Sequence, residues 1–184
     1  EQARDRLQTL HGLEKPFIAY VSRLEHPAKN HVRLIEAFER LKLENDSAHQ
    51  LVLAGADWSG ARIIRQRAAE SPLRDEIVFL GFVPKETLPL LYAGCDLMVF
   101  PSLFEGFGFP ILEALACGAP VACSNTSSMR EIACDVVPTF DPLDGEALFR
   151  AMEAILSSGW SPEQCRRGME PARRFDWRHT AAPT

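Results

Sequence analysis

Short runs of branched and aromatic residues alternate along this chain with longer stretches whose apolar residues recur every three or four positions. That alternation restricts the fold more than any single motif does. Residues 17–21 (FIAYV) are an uninterrupted apolar run, as a strand buried on both faces requires. In the next segment Leu34, Ile35, Phe38 and Leu41 share one helical face, while Arg33, Glu36, Glu39, Arg40 and Lys42 cover the remainder. Residues 51–54 (LVLA) repeat the strand signal and stop at Gly55, and Ser59 is the expected cap of a helix carrying Ile63 and Ile64. The pattern continues with residues 77–80 (IVFL), a helix opened by Pro84 that carries Leu88, Leu90 and Leu91, and a strand over 97–100. Pro110 then opens a helix through Ile111, Leu112, Leu115 and Ala116, Gly118 ends it, and residues 121–123 supply another strand. Residues 128–131 (SMRE) have the form of a capping box whose helix turns Ile132 inward, and Val136 with Val137 reads as a small strand. Asp141 to Asp144 turns into a helix carrying Leu148, Met152 and Ile155, and Ser161 with Pro162 begins a last helix ending near Phe175. Strands and helices alternating without long loops predict a doubly wound, mostly parallel α/β sheet with helices on both faces.

At 184 residues, one compact domain is expected. The formal charge of -5 supplies no overall positive field for nucleic acid or anionic lipid, so a phosphate ligand needs a local pocket. Cys95, Cys117, Cys123, Cys134 and Cys165 form no C-x-x-C and have no histidine at metal-ligand spacing; buried free thiols in a reducing, cytoplasmic setting are expected. No apolar stretch approaches the ~20 residues that span a bilayer. Any contact with the cytoplasmic membrane face is therefore expected only through the full-length protein. Residues 1–10 read as the tail of a linker or helix with no initiating Met, so a larger parent protein is expected.

In an open parallel sheet, ligands bind beyond the carboxyl ends of the strands. After Val21 the segment from Ser22 to His31 carries Arg23 and Lys29 beside a helix start, where a fork donor and a point charge can share the two phosphoryl groups of a diphosphate. A solvated loop is the alternative reading of those cations, and His26 and His31 lack the companions a metal site needs. After Phe100 comes residues 101–113 (PSLFEGFGFPILE). Gly106 and Gly108 let the backbone turn tightly and Pro110 fixes the first helical turn, which suits an oxygen-rich anion; Phe107 and Phe109 are either core wedges or part of that surface. Glu105 and Glu113, eight positions apart, can both face the crevice and accept hydrogen bonds from the vicinal hydroxyls of ribose and hexose rings. A hydrolase acid/base pair fits less well, because Trp58, Trp160 and Trp177 lie in segments remote from this loop and Trp177 reads as a packing anchor. A nicotinamide site fits least, since residues 22–25 (SRLE) replace G-x-G-x-x-G after the first strand.

Taken together, these segments resemble family 4 of the retaining nucleotide-sugar glycosyltransferases, specifically the carboxyl-terminal, donor-binding half of their two-Rossmann-domain (GT-B) fold. The matching stretches are residues 20–24 (YVSRL) with Lys29 and Asn30, 34–38 (LIEAF), 53–55 (LAG), 79–83 (FLGFV), Asp96 to Ser102, 105–121 (EGFGFPILEALACGAPV), Ser124 with Asn125, and 140–142 (FDP). They cover the chain from about Lys15 to Ala181. The resemblance implies transfer of a hexosyl-type group from a nucleotide-diphosphate sugar with retention, by front-face attack. Arg23 and Lys29 would hold the diphosphate and stabilise its departure, and Glu105 would contact sugar hydroxyls. The backbone of Gly106, Phe107, Gly108 and Phe109 would approach the donor, Glu113 would bind ribose, and Phe82 with Val83 would line the base. No metal or further cofactor is expected. Residues 1–14 would be a linker or incomplete N-terminal element, and 15–184 a donor-binding domain truncated at its carboxyl end. The amino-terminal Rossmann domain that supplies the site for a carbohydrate or lipid-linked acceptor would be absent, with the final helix after residues 175–181, so this chain would bind donor without turning over. Ser22 stands where the family usually has glycine. A nucleotide-sugar epimerase of the same fold and a noncatalytic nucleotide-sugar-binding module are the alternatives.

Overall fold

The computed structural model describes residues 2–133 and 136–174. Six strands, β1 (Phe17–Val21), β2 (Gln50–Ala54), β3 (Ile77–Gly81), β4 (Leu97–Phe100), β5 (Val121–Ser124) and β6 (Thr139–Phe140), form one sheet in the order β3-β2-β1-β4-β5-β6. Every pairing is parallel. β2, β4 and β5 are buried along their whole length, and only Val21 in β1 is less than fully buried, which is why these strands read as continuous apolar runs.

Among the described residues, eight α-helices flank the sheet: α1 (Gln2–His11), α2 (His31–Asn45), α3 (Ala61–Ala69), α4 (Leu88–Gly94), α5 (Phe109–Ala116), α6 (Ser127–Ala133), α7 (Gly145–Ser158) and α8 (Pro162–Arg174). They pack in two sets: α2 with α3 and α7, and α5 with α4, α6 and α8, with α1 lying on α4. Right-handed crossovers running in opposite directions from β1 and β4 put such sets on opposite faces. Leu34, Ile35, Phe38 and Leu41 are the buried stripe of α2, as their spacing requires. In α1, Leu7 is fully buried, and Arg4 donates from Nε to the Gly94 carbonyl at 3.0 Å, so residues 2–11 pack as a helix against the domain.

Four local expectations change. The last strand is Thr139–Phe140 rather than Val136 and Val137; Val137 is buried in the preceding bend, and the ladder forms where Cys123 and Ser124 find partners. α3 is capped by Gly60 at φ 75° rather than by Ser59, and position 60 has no room for a side chain, since a Cβ there would stand 2.9 Å from the His26 Cβ. α6 begins at Ser127, and the Ser128 hydroxyl donates to the Glu105 carbonyl at 3.2 Å. Pro84, expected to open a helix, opens a turn that leads into α4 at Leu88 behind Thr87. At α7 and α8 the caps follow the sequence: Asp144 accepts from the Glu146 and Ala147 amides at 2.8 and 3.1 Å, and Ser161 and Gln164 bond each other reciprocally. Cys95 and Cys123 are buried free thiols, each pushed up to about 12 by burial, and Cys117 and Cys165 are half-buried free thiols. Cys134, Trp177 and the expected helix end near Phe175 lie outside the described residues.

His31 opens α2 at 1% exposure, its ring 4.7 Å from that of Tyr20, and neither ring nitrogen has a hydrogen-bond partner. Burial, then the charge of Lys29, lowers its pKa from 6.5 to about 3. The unfolded chain takes up a proton near the ordinary value that the folded chain refuses, so stability is full above pH 6.5 and falls as pH drops from there toward 3. The urea midpoint is therefore expected to be lower near pH 5 than near pH 7.5, and a His31→Phe variant should lose part of that slope. An unchanged slope in the variant would contradict the assignment.

Candidate functional site

The two loops singled out by sequence leave neighbouring strands. β1 pairs with β4 where the strand order reverses, so the segments after Val21 and Phe100 open over the same carboxyl rim. The Leu103 amide donates to the Ala28 carbonyl at 2.9 Å and joins them directly. Asn30 joins them again: its backbone is left-handed at φ 58°, and its buried Nδ2 donates to the carbonyls of Pro101 at 3.1 Å and Pro142 at 2.8 Å. Arg33 Nη1 donates to the Asn30 Oδ1 at 2.9 Å, completing the amide's partners. The Tyr20 hydroxyl donates to the Lys29 carbonyl at 2.9 Å and shares a second bond of 2.9 Å with Ser102 Oγ. Burial pushes that phenol up, which keeps it a neutral donor.

With the loops fixed, a cleft of about 470 Å³ opens between them, lined by Arg23, Lys29, Glu105, Gly106, Phe107, Gly108 and Phe109 together with Ser22. Lys29 Nζ lies 2.6 Å from Glu105 Oε1, and the two side chains are only 13% and 14% exposed. The Glu105 backbone is held on both sides, its N–H donating to Ser127 Oγ at 3.1 Å and its carbonyl accepting from Ser128 Oγ. Arg23 is half exposed; its Nε donates to Glu25 Oε2 at 2.7 Å and its guanidinium stands 5.2 Å from the centre of the Trp58 ring. Trp58, expected to be remote from the site, is thus in contact with one of its cations. Gly108 caps α5 at φ 99° with no side-chain cap, and Pro110 occupies its first turn, so a polar helix end faces the cleft.

The remaining expected residues, Glu113, Phe82 and Val83, are not brought into that lining. Glu113 is exposed on α5 with Oε2 accepting from the Tyr92 hydroxyl at 2.8 Å. Phe82, 77% exposed, and the buried Val83 follow β3, two strands from the cleft. Ser22 has no positive φ, so a side chain is tolerated there; the close approach falls on Gly55, where a Cβ would stand 2.0 Å from the Ser22 carbonyl oxygen. Sequence reasoning missed the structural roles of Tyr20, Ser102, Ser127, Ser128 and Tyr92, and gave Asn30 none. Asn is among the few non-glycine residues that tolerate a left-handed backbone, but directly before a helical stretch it reads first as a side-chain cap, a bond Asn30 does not make; the serines carry no signal.

The sequence profile of the glycosyl transferases group 1 matches residues 1–174. The chain belongs to that family. It is 34% identical, over 91% of its length, to the O-antigen chain mannosyltransferase B of Escherichia coli, and 33% identical over 98% to the serotype-specific mannosyltransferase WbdA of the same organism. It spans 44% of the first of these relatives and 23% of the second. Among solved structures it is similar to sucrose-phosphate synthase from Thermosynechococcus elongatus, with a TM-score of 0.83 and 28% identity over 97% of this chain and 45% of that one. The Anabaena protein HepE in complex with UDP shares the fold at a TM-score of 0.82 and 23% identity, over 95% of this chain and 49% of that one. The six-stranded Rossmann-like sheet is therefore a group 1 domain of the GT-B type. Among the described residues no helix is long and apolar enough to cross a membrane.

Asn30 connects three segments of this group 1 domain. Asn30→Ala strands the buried Pro101 carbonyl, takes from the Pro142 carbonyl one of its two donors, Arg33 being the other, and leaves a Cβ residue at positive φ; it is expected to lower the unfolding free energy by ~2–4 kcal/mol. Asn30→Gly should recover about 1 kcal/mol of that by relieving the backbone. Urea denaturation of the two variants checks the order; equal losses would show that the left-handed conformation contributes nothing.

Proposed function

We propose that the cleft between the loops after β1 and β4 binds the diphosphate and sugar of a nucleotide-sugar donor, and that this chain is the donor half of a retaining hexosyltransferase. The observation that carries the reading is the meeting of Lys29, Arg23 and Glu105, brought from two loops, beside the Gly108-capped start of α5. Lys29 supplies a compact charge and Arg23 a planar fork, and both stabilise a diphosphate as negative charge builds on it during departure. Glu105 accepts hydrogen bonds from the sugar hydroxyls, and the Gly106 to Phe109 turn lets the backbone approach the donor closely. Glu113 is assigned the ribose, and the Phe82 and Val83 segment after β3 the base. Residues 15–184 are the donor-binding part of the chain, and α1 packs against it through the buried Leu7.

Since this chain spans 44% and 23% of its two relatives named above, the acceptor site is assigned to a second Rossmann-like domain outside it. Mannosyl is the first group to test, because both relatives are mannosyltransferases. The acceptor is a carbohydrate or lipid-linked sugar, met at the cytoplasmic face of the membrane.

Calorimetric titration of this chain with GDP-mannose, UDP-glucose, GDP and UDP tests the reading. At least one nucleotide should bind, and Lys29→Ala should weaken it about tenfold to a hundredfold, the worth of one hydrogen bond to a charged group. A folded chain that binds none of the four, or a Lys29→Ala variant that binds as the parent does, would refute the placement. Arg23→Ala is expected to weaken binding less than Lys29→Ala, because Arg23 is half exposed and screened.

A further inference from the structure

Glu105 has a second consequence that rests on the donor-binding reading. Its carboxylate is committed to Lys29 at 2.6 Å, in a setting where both side chains are largely buried. Neither partner can withdraw by a shift of its loop. The Glu105 N–H and carbonyl are bonded to Ser127 and Ser128, while the Lys29 carbonyl accepts from Tyr20 and its N–H donates to Glu25 at 3.1 Å. A phosphate that approaches Lys29 must therefore come up against the Glu105 carboxylate as well.

What that contact does depends on the phosphate. In a nucleotide sugar the outer phosphate is a diester with a single negative charge, and the attached ring brings hydroxyl donors that can satisfy the carboxylate. In a free nucleoside diphosphate the outer phosphate ends in oxygens that ionise a second time near neutral pH, and it carries no donor. The same carboxylate thus meets hydroxyl groups in one case and extra like charge in the other. Like charges held close in a site of low dielectric repel strongly.

We propose that the Lys29–Glu105 pair makes the cleft select the intact nucleotide sugar against the sugar-free nucleoside diphosphate, so that Glu105 both holds the sugar and favours release of the spent nucleotide. Removing the negative charge should then have opposite effects on the two ligands. Glu105→Gln keeps the size of the side chain, frees Lys29 from its carboxylate and removes the repulsion.

The experiment is a set of calorimetric titrations of this chain and its Glu105→Gln and Lys29→Ala variants with GDP and GDP-mannose, and with UDP and UDP-glucose. For the pair that binds, Glu105→Gln is expected to tighten the free diphosphate about tenfold and to weaken, or leave unchanged, the nucleotide sugar. Lys29→Ala should weaken both. Glu105→Ser carries the same expectation should the amide variant lose its fold, as judged by its urea transition. If Lys29→Ala weakens both ligands but neither Glu105 variant shifts their ratio toward the free diphosphate, the selectivity is refuted while the donor-binding reading stands. If no nucleotide binds the folded parent chain, both fall together.

Discussion

The site depends on one buried side-chain amide. Asn30 bonds the loop after β4 and the turn before α7 from its own position at the end of the loop after β1, and it does so from a left-handed backbone that few residues adopt readily. Parallel strands leave their connecting loops on one rim, but nothing in a parallel sheet makes neighbouring loops agree on a shape. Here they are stitched across the rim. Gly55 donates to the Gly81 carbonyl at 2.7 Å and Leu24 to Ala56 at 2.9 Å, Leu103 reaches Ala28, and Thr126 donates to Leu103 from the next loop at 3.0 Å. The cleft is the space such a stitched rim leaves over β1 and β4, and its walls are rigid because their backbone groups are already bonded.

The electrostatics are equally local. An acidic chain presents an anion site only by concentrating cations, yet both cations of this cleft carry carboxylate partners: Lys29 with Glu105, Arg23 with Glu25. The carboxylates offset both cations, so in the proposed donor site a phosphate would exchange partners with them rather than fill a bare positive hole. The two pairs differ in kind. Arg23 is screened by water and steadied by the Trp58 face, whereas Lys29 is enclosed, so under the proposed reading the enclosed pair is the one expected to weigh more on which anion is accepted.

Much of this was legible in the sequence because the strongest signals are one-dimensional. Residues 17–21 and 97–100 become strands at those limits because burial on both faces demands unbroken apolar runs. Val136 and Val137 misled for the same reason: two branched residues look like a strand, but pairing with β5 settles three positions later, which only the partner strand decides. α3 is capped one position after Ser59 and α6 starts one position before Ser128, and what surrounds them, His26 against position 60 and the Glu105 carbonyl bonded to Ser128, comes from elsewhere in the fold. At the site, Arg23, Lys29 and Glu105 could be chosen by residue type and by the glycines around them, and the cleft brings them together. Their pairing could not be read, since Lys29 and Glu105 are 76 positions apart and their contact exists only through the β1–β4 neighbourhood. Glu113 held by Tyr92 belongs to the same class of contact, as does Trp58 under Arg23.

The central claim is that a nucleotide's diphosphate takes Lys29 from Glu105 within this cleft. A crystal structure of the chain grown with GDP-mannose or UDP-glucose measures that directly. The account expects phosphate oxygens at about 3 Å from Lys29 Nζ and against the Gly106 to Phe109 turn, with Glu105 turned to the sugar. A nucleotide bound elsewhere on the domain, with Lys29 still on Glu105, would contradict it.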